Sequence, residues 1–120
     1  MINHFDLKVT DLAVSSHFYQ QILRPLNYQP KIYTEKLVSF GDGLSTDPMG
    51  DLYLSGGIPT PFHFAFQAPS RAAVDQFYAA GLQFGGRSNG APGLRDYHPD
   101  YYAAFLIDPD GYRIEAVCHT

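Results

Sequence analysis

One stretch of this chain occurs twice, and that repeat limits the possible folds more than any other feature. Residues Pro61 to Leu82, PFHFAFQAPSRAAVDQFYAAGL, superpose without a gap on the segment containing HFDLKVTDLAVSSHFYQQIL, His4 to Leu23. His63 falls on His4, Phe64 on Phe5 and Phe66 on Leu7; further on, Phe77 falls on Phe18, Tyr78 on Tyr19 and Leu82 on Leu23. Each copy is followed by an Asp-Pro-X-Gly turn, at 47–50 and at 108–111. Self-similarity of this kind marks one supersecondary unit used twice. The modules run over about residues 1–57 and 61–119, joined by Gly56-Gly57-Ile58-Pro59-Thr60-Pro61, which has linker composition.

Within the first module, Ile2 to Val9 alternate, with Phe5, Leu7 and Val9 on one side and His4, Asp6 and Lys8 on the other. That is the period of a half-buried strand. Thr10 or Asp11 can cap the following helix, whose apolar stripe is Leu12, Ser15, Phe18, Tyr19, Ile22 and Leu23, and Pro25 ends it. Tyr28 to Glu35 and Leu37 to Gly41 read as a hairpin, Gly43 to Gly50 as a loop and Asp51 to Ser55 as a short strand. The second module repeats the order. Phe62, Phe64 and Phe66 share one face of its first strand, and Ser70 caps a helix that turns Val74, Phe77 and Tyr78 inward. Leu82 to Arg87 reads as a strand and Ser88 to Pro99 as a long lid or binding loop. Tyr101 to Ile107 and Tyr112 to Cys118 complete the sheet. Each half is β-α-β-β-β.

Composition narrows the setting. With 120 residues, 45% hydrophobic and 17% charged, the chain has enough apolar surface for one shared core and too little charge for disorder. A net charge of −4, with eight scattered basic residues, argues against a nucleic-acid partner. The lone Cys118 allows no internal disulfide and suits a reducing compartment. No apolar run is long enough to span a membrane and no leader pattern opens at Met1, so the expectation is a soluble, cytoplasmic protein.

The repeat also organises the polar residues. Phe5, Leu7, Phe64 and Phe66 face the helices, so His4 and His63 point to the opposite face at equivalent places. Aligning the two Asp-Pro-X-Gly turns carries Glu115 onto Leu54. Packing about a pseudo-twofold axis would then gather His4, Leu54, His63 and Glu115. Two imidazoles and a carboxylate suit Fe(II), and also Zn, Mn, Co or Ni. The alternative is that Glu115 simply pairs with Arg113 or Lys8 on its own face. His98, with Arg95, Tyr97, Tyr101 and Tyr102, forms a second cluster, either a loop carrying an acid–base group over the site or a loop pinned by tyrosine packing. His17 reads as solvent-exposed, His119 as a frayed end and Cys118 as a buried strand residue.

These segments, with YYAAFLIDPDGYRIEAVCH closing the chain, resemble the vicinal oxygen chelate superfamily, the group of glyoxalase I, the bleomycin-resistance proteins and the extradiol dioxygenases. The DPDGYRIE segment is the most specific part. The resemblance implies an α+β fold, with two βαβββ modules forming one cupped eight-stranded mixed sheet and a helix packed behind each half. It places one divalent metal (Fe, Mn, Zn, Ni or Co) on His4, His63 and Glu115, and it implies a homodimer. The fourth family position, a Glu in glyoxalase I, falls on Leu54, or on Tyr53 if the register slips by one.

The expected function is a metal-dependent lyase/isomerase or dioxygenase whose small substrate chelates the metal through neighbouring oxygens. Glu115 or His98 would be the catalytic base, with Arg95, Tyr97, Tyr101, Tyr102 and Tyr53 as substrate contacts. The alternative is a metal-free protein of the bleomycin-resistance type that sequesters a flat ligand among its nine Tyr and nine Phe.

Overall fold

The computed structural model describes residues 2–44 and 47–120. The first module is β1 (Phe5–Val9), α1 (Leu12–Leu23), β2 (Gln29–Tyr33), β3 (Leu37–Gly41) and β4 (Leu52–Gly56). The second is β5 (His63–Gln67), α2 (Arg71–Gln83), β6 (Arg87–Leu94), β7 (Tyr102–Ile107) and β8 (Arg113–Cys118). The eight strands form two four-stranded mixed sheets of identical plan, β1-β4-β3-β2 and β5-β8-β7-β6. In each, the opening strand runs parallel to the closing strand and the other pairings are antiparallel. The loop expected over 43–50 includes Ser45 and Thr46, which lie outside the described residues.

The helices begin where their caps stand. Asp11 accepts the Val14 N–H and Ser70 accepts the Ala73 N–H, each with an extended backbone. Helix α1 gives way at Leu23 to a 3₁₀ turn, Arg24–Leu26, with Pro25 in its first positions. Helix α1 rests on β2, β3 and β4, α2 rests on β6, β7 and β8, and the helices touch one another. Phe18, Tyr19, Ile22, Leu23, Val74 and Phe77 meet Leu7, Leu52, Leu54, Leu106 and Ile114 in one core. An aromatic seam joins the modules: the Phe5 ring lies 5.1 Å from Phe64, and Tyr28 lies 5.5 Å from Phe66. Among the described residues no helix is long and apolar enough to cross a membrane.

Two expectations for the second module are corrected. Leu82 to Arg87 is not a strand. Helix α2 runs on through Gln83, and the chain turns at Gly85, whose φ of 111° favours glycine. Nor is Ser88 to Pro99 a free loop, because Arg87–Leu94 is strand β6. Its Gly and Pro content is tolerated because β6 pairs only with β7 and its register shifts twice, between Ser88 and Gly90 and between Gly90 and Gly93.

Helix α2 approaches β7 most closely at Gly81. A Cβ there would stand 2.2 Å from Leu106 Cδ1, and Leu106 is fully buried. Gly81→Ala gains about 1 kcal/mol of helix propensity but overpacks the core at a cost of about 1–3 kcal/mol. The expected net result is a loss of about 1 kcal/mol in urea unfolding.

Candidate metal centre

The register of the sheets determines which polar residues meet. In the second module Ala65 is opposite Glu115, and in the first Asp6 is opposite Tyr53. Ala65 and Asp6 are equivalent in the repeat, so the counterpart of Glu115 is Tyr53. Leu54, matched to it by aligning the turns, is instead a buried core residue. The two equivalent pairs have different chemistry. His4 stacks on Tyr53 with ring centroids 4.9 Å apart, whereas His63 Nε2 stands 3.0 Å from Glu115 Oε1.

Glu115 is held from both sides. His63 meets one carboxylate oxygen, and the Tyr101 hydroxyl donates to the other. The residue is only 3% exposed, in a strand buried without a break from Ile114 to Cys118. Burial, then the hydrogen bond and charge of Glu115, push the Tyr101 phenol up to about 12, so it is a donor throughout the neutral range. Three rings pack around Tyr101, with centroids at 5.0 Å (Tyr97), 4.9 Å (His98) and 5.4 Å (His119). Neither Arg113 nor Lys8 takes up the Glu115 carboxylate. Lys8 pairs with Asp6 at 3.2 Å.

The His63–Glu115 pair fits a divalent cation. Neighbouring donors each about 2.1 Å from an octahedral ion stand about 3.0 Å apart, the separation seen here without any strand moving. His4 is elsewhere. Its Nδ1 is 2.6 Å from Asn3 Oδ1, and among the described residues no three His, Cys, Asp or Glu side chains gather within one chain.

The remaining candidates divide between the two faces of the sheet. Arg95 lies over the Phe105 ring, 5.2 Å from its centroid, and Phe105 is the register partner of Glu115. Tyr97 is exposed beside Tyr101. Tyr102, expected as a substrate contact, turns to the helix side, where its hydroxyl donates to Asp75 at 2.7 Å and Arg71 covers its ring. Strand alternation requires this, since neighbours of Tyr101 point the other way. His98 packs on Tyr101 with its Nδ1 at the Pro99 carbonyl, 3.0 Å away. His17 is exposed and Cys118 buried, as read from the sequence. His119 is not a loose end, since it stacks on His98 at 4.9 Å. The signal was present: Glu115, Val117 and His119 alternate onto one face. Beside His63, an open groove of about 990 Å³ is walled by Phe5, Tyr28, Phe62, Phe64 and Phe66.

A family description, glyoxalase/bleomycin resistance protein/dioxygenase superfamily, matches residues 1–116. The chain belongs to this superfamily. Among solved structures, a glyoxalase/bleomycin resistance protein from Albidiferax ferrireducens T118 is 30% identical, with a TM-score of 0.80 and 98% of each chain covered. Two further solved structures share the fold at lower identity. The fosfomycin resistance protein FosX from Listeria monocytogenes has 21% identity and a TM-score of 0.71, over 100% of this chain and 93% of that one. Lactoylglutathione lyase from Agrobacterium tumefaciens has 18% identity and a TM-score of 0.69, over 98% and 92%. Comparison with curated protein sequences gives no match.

Proposed function

We propose that this superfamily member is a metal-dependent enzyme, a lyase/isomerase or a dioxygenase, whose small substrate chelates the metal through neighbouring oxygens. The observation that carries this is the imidazole–carboxylate pair of His63 and Glu115 at 3.0 Å, with Tyr101 fixing the far carboxylate oxygen. His63 and Glu115 would hold the cation. A divalent cation there supplies Lewis acidity toward a bound carbonyl or enolate oxygen. Tyr101 keeps Glu115 in one orientation, which suits a ligand better than a mobile base. His98 is the nearer candidate for proton transfer, because its exposed ring sits at the rim of the Tyr101 cluster.

The third ligand in this proposal is His4 of a second copy, in a homodimer. Both His4 and His63 are exposed; His4 immediately precedes β1 and His63 opens β5, each the end strand of its sheet. Mixing chains tests the arrangement. His4→Ala and His63→Ala should each lose metal by elemental analysis, and their heterodimer should regain about one ion per two chains by recombining one intact site. Failure to regain it refutes the shared site. Wild-type protein that stays empty after growth in mixed divalent metals favours the second reading, a metal-free ligand-sequestering protein. The aromatic groove beside His63 supports that reading, since it would accept a flat ligand.

A further inference from the structure

The candidate centre has a cation beside it that the metal chemistry does not use. Arg95 is half-buried, and its guanidinium is fixed in place. Nη2 donates to the Ala91 carbonyl at 2.6 Å and Nη1 to the Leu94 carbonyl at 3.4 Å, with the Phe105 ring beneath. Phe105 connects this group to the centre, because it is opposite Glu115 in the ladder and its ring centroid is 6.2 Å from that of His63. The irregular strand β6 makes the placement possible. A Cβ at Gly90 would stand 3.2 Å from Arg95 Nη2, and one at Gly93 would stand 3.2 Å from Nη1. Among the described residues the ion pairs are Lys8–Asp6, His63–Glu115 and Arg71–Asp100, so no carboxylate neutralises Arg95. Two of its five N–H groups are used on carbonyls, and the rest remain to donate.

A guanidinium that is immobilised, half-desolvated and without a counter-ion is preorganised for an oxyanion, which it can grip with paired N–H donors. We infer that Arg95 on Phe105 is an anion subsite, and that the substrate carries a carboxylate or a phosphoryl-type group placed to reach it while its vicinal oxygens meet the centre at His63 and Glu115. This deepens the metal-dependent reading and rests on it for the second half only, because the subsite itself needs no metal.

Inorganic phosphate is the probe, titrated calorimetrically into chelator-treated chain at low ionic strength. Wild type should bind phosphate weakly and lose it as salt rises. Arg95→Gln should weaken binding about tenfold or more, and Arg95→Lys should recover part of it. Unchanged melting curves for the two variants, and retention of phosphate binding by Glu115→Gln, are the further expected results. Equal phosphate affinity in wild type and Arg95→Gln overturns the subsite, as does wild type that binds none. Phosphate binding that appears only after metal loading and ignores Arg95 also overturns it, while leaving the metal centre standing.

Discussion

Glu115→Gln is expected to lower divalent-metal affinity at least about a hundredfold and to leave the melting temperature nearly unchanged. The two effects separate because of how the carboxylate is held. A carboxamide has the same shape and can still receive the Tyr101 hydroxyl on its oxygen, so the buried packing around β8 survives. The partner it leaves behind, His63, has a side chain 47% exposed, so no buried group is stranded without a counter-ion. As a metal ligand, however, the carboxamide is neutral and weak, and hard divalent cations select anionic oxygen. Tyr101→Phe should act through the same atoms but less strongly. It leaves the carboxyl group in place and frees one of its oxygens from the phenol, a loss of the size seen for outer-shell partners, about ten- to a hundredfold. Competition with a fluorescent chelator gives both affinities. Metal affinity in Glu115→Gln equal to wild type would remove Glu115 from the ligand set.

The repeat made the two opening strands and both helices legible, because their apolar spacing and caps are local properties of the chain. It misplaced the closing strand of the first module. The Asp-Pro-X-Gly turns were aligned as if each led into its strand at the same distance, but the second turn has Tyr112 before β8, and its hydroxyl reaches back to the Lys8 carbonyl at 2.7 Å. That one additional residue shifts the equivalence from Leu54 to Tyr53, and the burial of Leu54 against the stacking of His4 on Tyr53 fixes it. Strand β6 was hidden for a different reason. Its Gly-Ala-Pro-Gly composition has the signature of a loop, and only its place at the sheet edge makes a bulged strand of it. Within the site, His63 and Glu115 could be paired from the repeat, while the contact of Tyr101 with Glu115 depends on where the Asp- and Pro-containing turn after β6 aims the chain, which no spacing in the sequence sets.

The same Asp-Pro-Asp-Gly turn carries the largest expected stability effect, at Asp108. Its side chain is 3% exposed and serves both modules. Oδ2 accepts the Tyr19 hydroxyl of α1 at 2.6 Å, while Oδ1 accepts the backbone N–H groups of Asp110 and Tyr112 at 2.8 and 2.9 Å. The matching Asp47 also accepts a turn N–H, that of Met49, at 2.9 Å. Asp108→Ala leaves a fully buried phenol and two turn N–H groups without acceptors. The phenol and the Tyr112 N–H are buried, at about 1–3 kcal/mol each, and the part-buried Asp110 N–H adds less; the expected loss is about 3–5 kcal/mol, read as a fall of roughly 10–20 °C in melting temperature. Asp108→Asn should cost far less, since its carbonyl still accepts both N–H groups and its amide can donate to Tyr19. Burial raises the Asp108 pKa above the ordinary aspartate range, with the Tyr19 and backbone hydrogen bonds opposing the rise. A raised folded-state pKa means that this group's contribution is fully present below the unfolded pKa and is lost as pH rises through the folded one. Wild type should therefore lose stability relative to Asp108→Asn as pH climbs out of the acid range. A difference between the two that does not change with pH would show that the buried carboxyl titrates as it does in the unfolded chain. A wild-type-like melt for Asp108→Ala would show that the turn does not hold the modules together.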